Sequence, residues 1–231
     1  MEQHLLFLLN REWTHPLLDR VLGTLSSLEF WAPLLVVGAA LLLWKLRIRG
    51  VACLLLCVLG ICINETLIAQ PLKKWTRRGR PHQLFEGIRR VDLAPVKPRI
   101  LAAALPMQVH FSGPPNPEDK VRLSFPSAHV LNAMTLGVVL SLFLRRRLWW
   151  LPLLMAWSRV YTGAHWPTDV LASLCIGLPS NLGLVLGAEL FWRKVLPRWR
   201  PDWTATHPAL VFSLAQEETS RQPAPHSPSA P

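Results

Sequence analysis

The residues from Ser158 to Asp169 are the part of this sequence best suited to do chemistry. They read SRVYTGAHWPTD, so an arginine is followed six residues later by a histidine and four residues after that by an aspartate. Arginine can bind an anion, histidine can act as a nucleophile or a base, and a carboxylate can orient the imidazole. The spacing from His165 to Asp169 would put the carboxylate one helical turn away, where it could accept the Nδ1 proton. Asp169 could equally cap the helix that starts near Pro167, and both roles can hold at once.

A second candidate stretch, SFPSAH, begins at Ser124 and ends at His129. Pro126 suits the first turn of a helix, which leaves free backbone N–H groups around Ser127 and Ala128. These groups lie at the positive end of the helix dipole, where an anion binds readily. A lone histidine at such a boundary is more often an interfacial residue, but His129 lies beside an expected anion site.

A third stretch, KKWTRRGRP, runs from Lys73 to Pro81. If a helix continues to Arg80, then Lys73, Arg77 and Arg80 fall at positions i, i+4 and i+7 on one face. Pro81 would end that helix, because the residue before a proline avoids the helical region. A basic helix end alone is more often an interfacial anchor. We therefore expect this stretch to have a functional role only if the other two stretches lie nearby.

Long apolar segments decide the fold class. Of the 231 residues, 51% are hydrophobic, and five segments approach the roughly 20 residues needed to cross a bilayer. None of them has the polar face of a soluble helix. We therefore predict an all-α, multi-pass transmembrane helical bundle. The segments are Leu28–Trp44, Val51–Leu72, Phe125–Leu144, Leu148–Thr168 and Val170–Trp192.

The distribution of positive charge predicts the orientation of this bundle. The formal net charge is +11, but the cations cluster at segment ends, which disfavours a nucleic-acid partner. Three clusters, at 45–49, 145–147 and 193–200, fall on one side, which the positive-inside rule makes cytoplasmic, with the N-terminus outside and the C-terminus inside. The cluster at 73–80 breaks the rule on the outer side. We interpret these outer charges as binding a ligand.

The remaining regions frame a membrane domain at residues 28–200. Residues 1–27 suit an amphipathic helix on the outer surface, and residues 82–123 form a long proline-rich extracytoplasmic loop that suits a lid. Within that loop, Ile100–Val109 is too short to span and could be re-entrant or surface-lying. Residues 201–231 are polar and predicted to be disordered in the cytoplasm.

Two further features of the apolar segments have ordinary structural interpretations. The four cysteines (Cys53, Cys57, Cys62 and Cys175) lie inside the segments without metal-ligand spacing, so we interpret them as packing residues. Glu65, in the second segment, either pairs with a basic residue two turns onward or lies near the interface.

Under this topology, the three stretches meet at the outer membrane face. They bring several cations, a helix N-terminus and two histidines with one carboxylate, which suits a tetrahedral, multiply charged oxyanion such as phosphate. The sequence lacks the carboxylate cluster that holds magnesium or calcium, and one aspartate beside two histidines is a weak zinc site. We predict no metal and no other cofactor.

The three stretches resemble the signature motifs of the type 2 phosphatidic acid phosphatase (PAP2) family, which also includes vanadium haloperoxidases. The matching patterns are Lys73-x6-Arg80-Pro81, Pro126-Ser127-Ala128-His129 and Ser158-Arg159-x5-His165-x3-Asp169. The order and internal spacing match. The one departure is Ala128, where the family most often has glycine.

The resemblance implies a role for each matching residue. His165 would be the nucleophile that forms a phosphohistidine, Asp169 would orient it, and His129 would act first as general acid and then as general base. The phosphate oxygens would be held by Lys73, Arg80, Ser127, Ala128 and Arg159.

The resemblance also implies an integral-membrane, metal-independent lipid phosphatase of the bacterial inner membrane, facing the cell envelope. Its substrate would be a lipid phosphate in the bilayer, with undecaprenyl diphosphate as the first choice. Phosphatidate, phosphatidylglycerol phosphate and lipid A phosphates stay open as alternatives. A vanadate-dependent haloperoxidase is disfavoured by the apolar segments, and a non-catalytic lipid-phosphate binder or transporter by the two histidines. The sequence gives no prediction of oligomeric state.

Overall fold

The computed structural model describes residues 1–211, which are mostly helical. The helices are α1 (Glu2–Phe7), α2 (Pro16–Leu25), α3 (Leu28–Leu46), α4 (Ile48–Ile63), α5 (Gln70–Thr76), α6 (Pro81–Leu84), α7 (Ala128–Leu144), α8 (Trp150–Tyr161), α9 (Pro167–Lys194) and α10 (Pro201–Thr206). Helices α1 and α2 precede the apolar helices α3, α4, α7 and α9, and α8 links the last two. The strands are β1 (Arg89–Asp92) and β2 (Gln108–Phe111).

Within residues 1–211, three helical stretches are long and apolar enough to cross a bilayer: Leu28–Leu46, Ile48–Thr76 and Pro167–Arg198. The second comprises α4 and α5, joined without a break by the π-helical stretch Asn64–Ala69. The predicted helical membrane bundle is therefore confirmed. The other two predicted segments form shorter helices, since α7 has 17 residues and α8 has 12. Twelve residues give about 18 Å, well short of the roughly 30 Å apolar core of a bilayer.

A buried turn shortens the predicted fourth segment. Helix α8 ends at Tyr161, and Gly163 follows with a φ of 66°. Glycine adopts this conformation without strain. A Cβ atom at this position would also lie 2.5 Å from Ile88 Cγ2 and 2.8 Å from the carbonyl oxygen of Arg89. The chain therefore leaves the helix here and carries residues 162–166 across the end of the bundle.

Helix α7 is the centre of the bundle, with α4, α8 and α9 packed around it. Its C-terminal half joins a core that contains Cys53, Phe143 and Trp192, and its N-terminal half joins one that contains Leu6 and Trp166. The three basic clusters at 45–49, 145–147 and 193–200 thus share the first end of the bundle. The motif residues and the N-terminal helices share the other end.

Residues 201–211 are ordered, which differs from the disorder predicted for this part of the chain. The Trp192 indole donates a hydrogen bond to the carbonyl oxygen of His207 (2.8 Å), and the Arg49 Nε donates to that of Leu210 (2.9 Å). The backbone N–H of Val211 donates to Glu189. Apolar residues such as Leu210, which is buried, allow this segment to dock on α4 and α9. The rest of the predicted tail lies outside the described residues.

The N-terminal 27 residues form two helices rather than one, with a break between Trp13 and His15. Leu6 and Leu22 are fully buried against other helices. The buried Asn10 side chain donates to the carbonyl oxygens of Arg89 and Tyr161 and accepts from the Arg89 backbone. This region therefore packs as an integral part of the end of the bundle that holds the motifs.

The long loop contains an antiparallel hairpin, in which Arg90 of β1 faces His110 of β2. Between the strands, a 3₁₀ helix (Arg99–Ala104) packs against α3, with an ion pair of 2.6 Å between Arg99 and Glu29. The apolar patch Ile100–Val109 is thus divided between this helix and β2. It does not form one continuous element.

A buried ionic cluster joins this loop to α2 and α8, and it predicts a large stability effect. Arg89 contacts Asp19, and Asp19 also accepts a hydrogen bond of 2.5 Å from the Tyr161 hydroxyl. Asp19→Ala would leave the Arg89 charge buried without its partner, so we expect a loss of about 3–5 kcal/mol in the free energy of unfolding. Thermal unfolding in detergent, followed by tryptophan fluorescence, measures this loss.

The matched control is Asp92→Ala, because Asp92 forms a half-exposed ion pair of 3.5 Å with Arg90. An exposed pair contributes only about 0–1 kcal/mol. Equal shifts in melting temperature for the two variants would contradict the structural role of the buried cluster.

Candidate active site

The three sequence stretches come together at one end of the bundle. His129, at the start of α7, interacts electrostatically with His165 and with three cations of the other stretches, which are Lys73, Arg80 and Arg159. Residues separated by as many as 92 positions therefore share one site. The arrangement follows from the helix directions, because α5 ends, α7 begins and α9 begins at the same end of the bundle.

His165 lies in the turn between α8 and α9 and is only 2% exposed. Its backbone N–H, like that of Ala164, donates to the carbonyl oxygen of Arg159 (3.1 Å each), so the turn fixes the histidine beside the arginine. Burial lowers the pKa of His165 to about 4; Asp169 opposes this shift, and the charges of Arg159 and Arg80 add to it. At neutral pH the imidazole is therefore uncharged, which is the form that a nucleophile requires.

Asp169 is fully buried and accepts several hydrogen bonds. One oxygen accepts from Arg78 Nη1 (2.7 Å); the other accepts from the Trp166 backbone N–H (3.1 Å) and contacts the Ser124 hydroxyl. The bond to Trp166 is the helix-capping interaction, with Asp169 in the first turn of α9. The same oxygen lies 3.9 Å from His165 Nδ1, which is within ion-pair range but beyond hydrogen-bond length.

The N-terminus of α7 differs in part from the expected anion site, because Pro126 precedes the N-cap residue instead of lying in the first helical turn, and the Ser127 backbone N–H is not free. Ser127 is its N-cap residue and is fully buried, and Ala128 is the first residue of the helix. The Ser127 backbone N–H donates to Ser173 Oγ (2.9 Å) on α9. The Ser127 hydroxyl itself is buried and has no hydrogen-bond partner within residues 1–211.

Two arginines of the site have buried nitrogen atoms that lack partners in the same way. They are Arg80 Nε and Arg159 Nε. Buried donors of this kind are costly, and they are typical of sites that bind an anion. Lys73 lies nearby at the end of α5, where it interacts electrostatically with Arg80 and with Glu65. Glu65 also accepts a hydrogen bond of 2.9 Å from Asn132 of α7.

The predicted alignment of Lys73, Arg77 and Arg80 on one helical face is wrong. Helix α5 ends at Thr76, and Arg77 adopts the left-handed conformation. Arg80 is extended and precedes α6, in which Pro81 is the first residue, so the proline begins a helix instead of ending one. The turn at Arg77 directs the following residues across the bundle toward α9. Lys73 and Arg80 still reach the same site.

Sequence reasoning missed two residues that hold Asp169. Arg78 bridges Asp169 and Glu2 of α1 (2.7 and 2.6 Å), and its guanidinium lies over the Trp166 ring. Ser124 contacts the other oxygen of Asp169. Both lie within the stretches at 73–81 and 124–129, but their partner Asp169 is 91 and 45 positions away. No local pattern indicates such pairs.

The electrostatics of the site favour anions. Burial lowers the pKa of Arg80, and the nearby charges of Arg122 and Arg90 lower it further. Positive charge is therefore concentrated around Arg80. Within residues 1–211, no group of three His, Cys, Asp or Glu side chains is arranged to hold a metal ion. The donors present here suit phosphate oxygens rather than a cation.

Several known proteins resemble this chain in sequence or in fold. Phosphatidylglycerophosphatase B of Bacillus subtilis is 28% identical over 186 residues, which cover 74% of this chain and 73% of that protein. The putative undecaprenyl-diphosphatase YbjG of Escherichia coli is 41% identical over 78 residues, covering 31% of this chain and 36% of that one. The crystal structure of Aquifex aeolicus LpxE matches with a TM-score of 0.53 and 25% identity, covering 80% of this chain and 94% of that one.

A family model, described as the PAP2 superfamily, matches residues 50–186, which include all three sequence stretches. The match extends from within α4 into α9 and thus takes in the helices that position the site. On this match, together with the relatives and the fold, the chain belongs to the PAP2 superfamily of phosphatases.

Proposed function

We propose that this protein is a metal-independent lipid phosphatase that works through a phosphohistidine at His165. The observation that carries the proposal is the convergence of two histidines with Lys73, Arg80 and Arg159 around buried, unpartnered donors. Cations alone would suffice to bind a lipid phosphate. An uncharged, buried histidine beside the cations adds a nucleophile, which favours catalysis over binding.

In the first step, Nε2 of His165 attacks the phosphorus atom, forming an N–P bond while the P–O bond to the leaving group breaks. His129, which takes up a proton when the anionic headgroup offsets the surrounding positive charge, gives that proton to the leaving oxygen. Asp169 stabilises the proton on Nδ1 of His165 and the positive charge that develops on the ring. Arg78 and Ser124 hold Asp169 in place for this role.

In the second step, a water molecule attacks the phosphorus atom and the N–P bond breaks. His129, now neutral, accepts a proton from this water, which restores the starting protonation states and releases phosphate. Through both steps, the side chains of Lys73, Arg80 and Arg159, the Ser127 hydroxyl and the Ala128 backbone N–H stabilise the charge on the phosphoryl oxygens. These donors are in place before the substrate binds, so little reorganisation is needed.

The substrate that we propose is a polyprenyl diphosphate, with undecaprenyl diphosphate as the first choice. A long apolar chain can remain in the bilayer while the headgroup enters a site at the end of the helices. The name of the E. coli relative supports this choice, whereas the name of the B. subtilis relative supports phosphatidylglycerol phosphate as the second candidate. Phosphatidate and lipid A phosphates belong to the same chemical class.

We further propose that the site faces the outer side of the cytoplasmic membrane and that the C-terminus is cytoplasmic. The basic clusters at 45–49, 145–147 and 193–200 lie at the opposite end of the bundle from the site, and the positive-inside rule makes that end cytoplasmic. Cysteine substitution at Thr168, which is exposed beside the site, tests the orientation. A membrane-impermeant thiol reagent should label it in intact cells, and protection there with labelling only after lysis would contradict this orientation.

Removal of divalent metals should leave the activity of the enzyme within about 2-fold of its starting value, because protein cations take the place that magnesium has in many phosphoryl-transfer enzymes. The test measures phosphate release in detergent, with and without excess EDTA, from undecaprenyl diphosphate, phosphatidylglycerol phosphate, phosphatidate and lipid A. A complete loss with EDTA that magnesium restores would contradict the mechanism. Halide oxidation that requires vanadate and peroxide, or binding without phosphate release, would support the alternative functions.

A further inference from the structure

A cavity of about 670 Å³ opens beside the phosphate site and shares its wall. Arg80 and Arg159 line both, since the same two side chains contribute to this cavity and interact with the catalytic histidines. The long loop between α5 and α7 supplies further cations to the cavity. These are Arg90, Arg99 and Arg122.

The positive charge of this wall exceeds its negative charge. Two carboxylates, Glu29 and Asp92, are among the residues that line it. Glu29 is paired with Arg99 at 2.6 Å, and Asp92 forms a looser pair of 3.5 Å with Arg90. No carboxylate within residues 1–211 forms an ion pair with Arg122. The positive charge around Arg80, Arg90 and Arg122 is thus only partly balanced by the protein itself.

The hairpin fixes the position of Arg90. Its neighbour in β1, Arg89, is buried on one face of the hairpin, where it contacts Asp19. Successive side chains in a strand point to opposite faces, so Arg90 points the other way and lines the cavity. Below it, His82 Nδ1 lies 3.2 Å from the carbonyl oxygen of Gly163, in the same turn that carries His165.

Backbone interactions fix the position of Arg122. Its N–H donates to the Gln83 side chain (2.7 Å), which donates in turn to the carbonyl oxygen of Lys120 (2.9 Å). On the other side, Leu123 forms a β-bridge with Gly79. Backbone contacts therefore fix the segment that carries Arg122 against the segment that carries Arg80. The charge of Arg122 acts on Arg80 in this arrangement.

These like charges repel one another, and an anion bound between them would relieve the repulsion. The charges of Arg122 and Arg90 act on both Arg80 and His82. Like charges that the backbone holds close together, in a cavity, are characteristic of a ligand site. One phosphoryl group already has Lys73, Arg159 and the α7 N-terminus as donors, so the additional cations exceed what a phosphomonoester headgroup needs.

We infer that Arg90 and Arg122 form a second phosphate subsite, which makes the enzyme prefer diphosphate over monophosphate headgroups. This inference rests on the proposed function. The terminal phosphoryl group binds at His165, and the inner phosphate, still attached to the lipid, binds at the second subsite. His165 attacks the terminal phosphorus, the P–O bond of the diphosphate bridge breaks, and the lipid monophosphate leaves with its charge stabilised by Arg90 and Arg122.

The test compares two substrates with the same chain, farnesyl diphosphate and farnesyl monophosphate, by initial rates of phosphate release in detergent. The wild type is compared with Arg90→Gln, Arg122→Gln and the double variant. The matched control is Arg20→Gln, an exposed arginine of α2 that does not line the cavity. A charge-assisted hydrogen bond to the inner phosphate accounts for roughly 10–100-fold in kcat/KM.

We expect each single variant to lose that factor on the diphosphate while the monophosphate rate stays within about 3-fold, and the control to be unchanged on both. Arg122→Lys should recover part of the loss, since it keeps the charge. In the wild type, inorganic diphosphate should inhibit more strongly than inorganic phosphate, and the double variant should lose this difference.

The outcomes separate this inference from the function on which it rests. Equal losses on both substrates, or no loss on the diphosphate, would refute the second subsite. The same holds if the wild type cleaves the monophosphate as fast as the diphosphate, although the phosphatase itself would then stand. A wild type that releases phosphate from neither substrate nor from any lipid phosphate would refute both.

Discussion

His165→Ala is expected to abolish phosphate release, with a loss on the order of 10⁴-fold or more, because it removes the imidazole that we propose as the nucleophile. The side chain is almost fully buried, but its Nδ1 has no hydrogen-bond partner within residues 1–211. Its removal should therefore leave the fold intact. Steady-state rates on a polyprenyl diphosphate, with thermal unfolding of the same preparation, measure both effects.

The control for this variant is His4→Ala, which removes an exposed histidine from α1. Its activity should equal that of the wild type. Turnover that persists in a folded His165→Ala protein would remove His165 from the role of nucleophile, whereas loss of folding in that variant would show that the imidazole mainly supports packing.

The second large effect is expected for His129→Ala, and it should depend on the leaving group. General acid catalysis contributes roughly 10²–10⁴-fold when the leaving oxygen must be protonated. A prenyl alcohol or a prenyl monophosphate needs this help, while the nitrophenolate released from p-nitrophenyl phosphate leaves without it. Formation of the phosphoenzyme from p-nitrophenyl phosphate should therefore be nearly normal in His129→Ala, as a burst of nitrophenolate.

After that burst, the same variant should turn over slowly, because no base remains to activate water for the second step. Stopped-flow absorbance records the burst and the steady state in one experiment. If His129→Ala slows the burst on p-nitrophenyl phosphate as much as it slows cleavage of a prenyl phosphate, His129 acts on binding or structure and not as the acid.

The meeting of the three stretches at one end of the bundle could be predicted from the sequence, because successive helices that cross a bilayer alternate in direction. Once α4–α5, α7 and α9 are recognised as long apolar helices, their alternating directions bring Lys73, His129 and His165 to one end. The positive-inside rule then distinguishes the two ends by charge alone. None of these steps requires knowledge of side-chain contacts.

The errors arose where a local turn overrode the helical pattern. Arg77 adopts a left-handed conformation at the end of α5, so the chain turns four residues before the proline that was expected to stop the helix. Gly163 ends the fourth segment early because the backbone of the long loop packs against it. Both depend on tertiary contacts, which a single sequence does not reveal.

The supporting polar contacts were also beyond sequence reasoning. Arg78 and Ser124 reach Asp169 across 91 and 45 positions, and Asp19 reaches Arg89 across 70. In the sequence alone, these residues look like ordinary interfacial charges or loop residues. Their roles follow only from the folding of the N-terminal helices and the loop over the end of the bundle.

The central claim, that phosphate passes through His165, is tested most directly by trapping the phosphoenzyme. Polyprenyl diphosphate labelled with ³²P in the terminal phosphate is mixed with enzyme, quenched in alkaline denaturant within the first turnover and digested for peptide mapping. We predict an alkali-stable, acid-labile label on the peptide that contains His165, and no label in His165→Ala. Single-turnover phosphate release without protein-bound label, or label on another residue, would contradict the account.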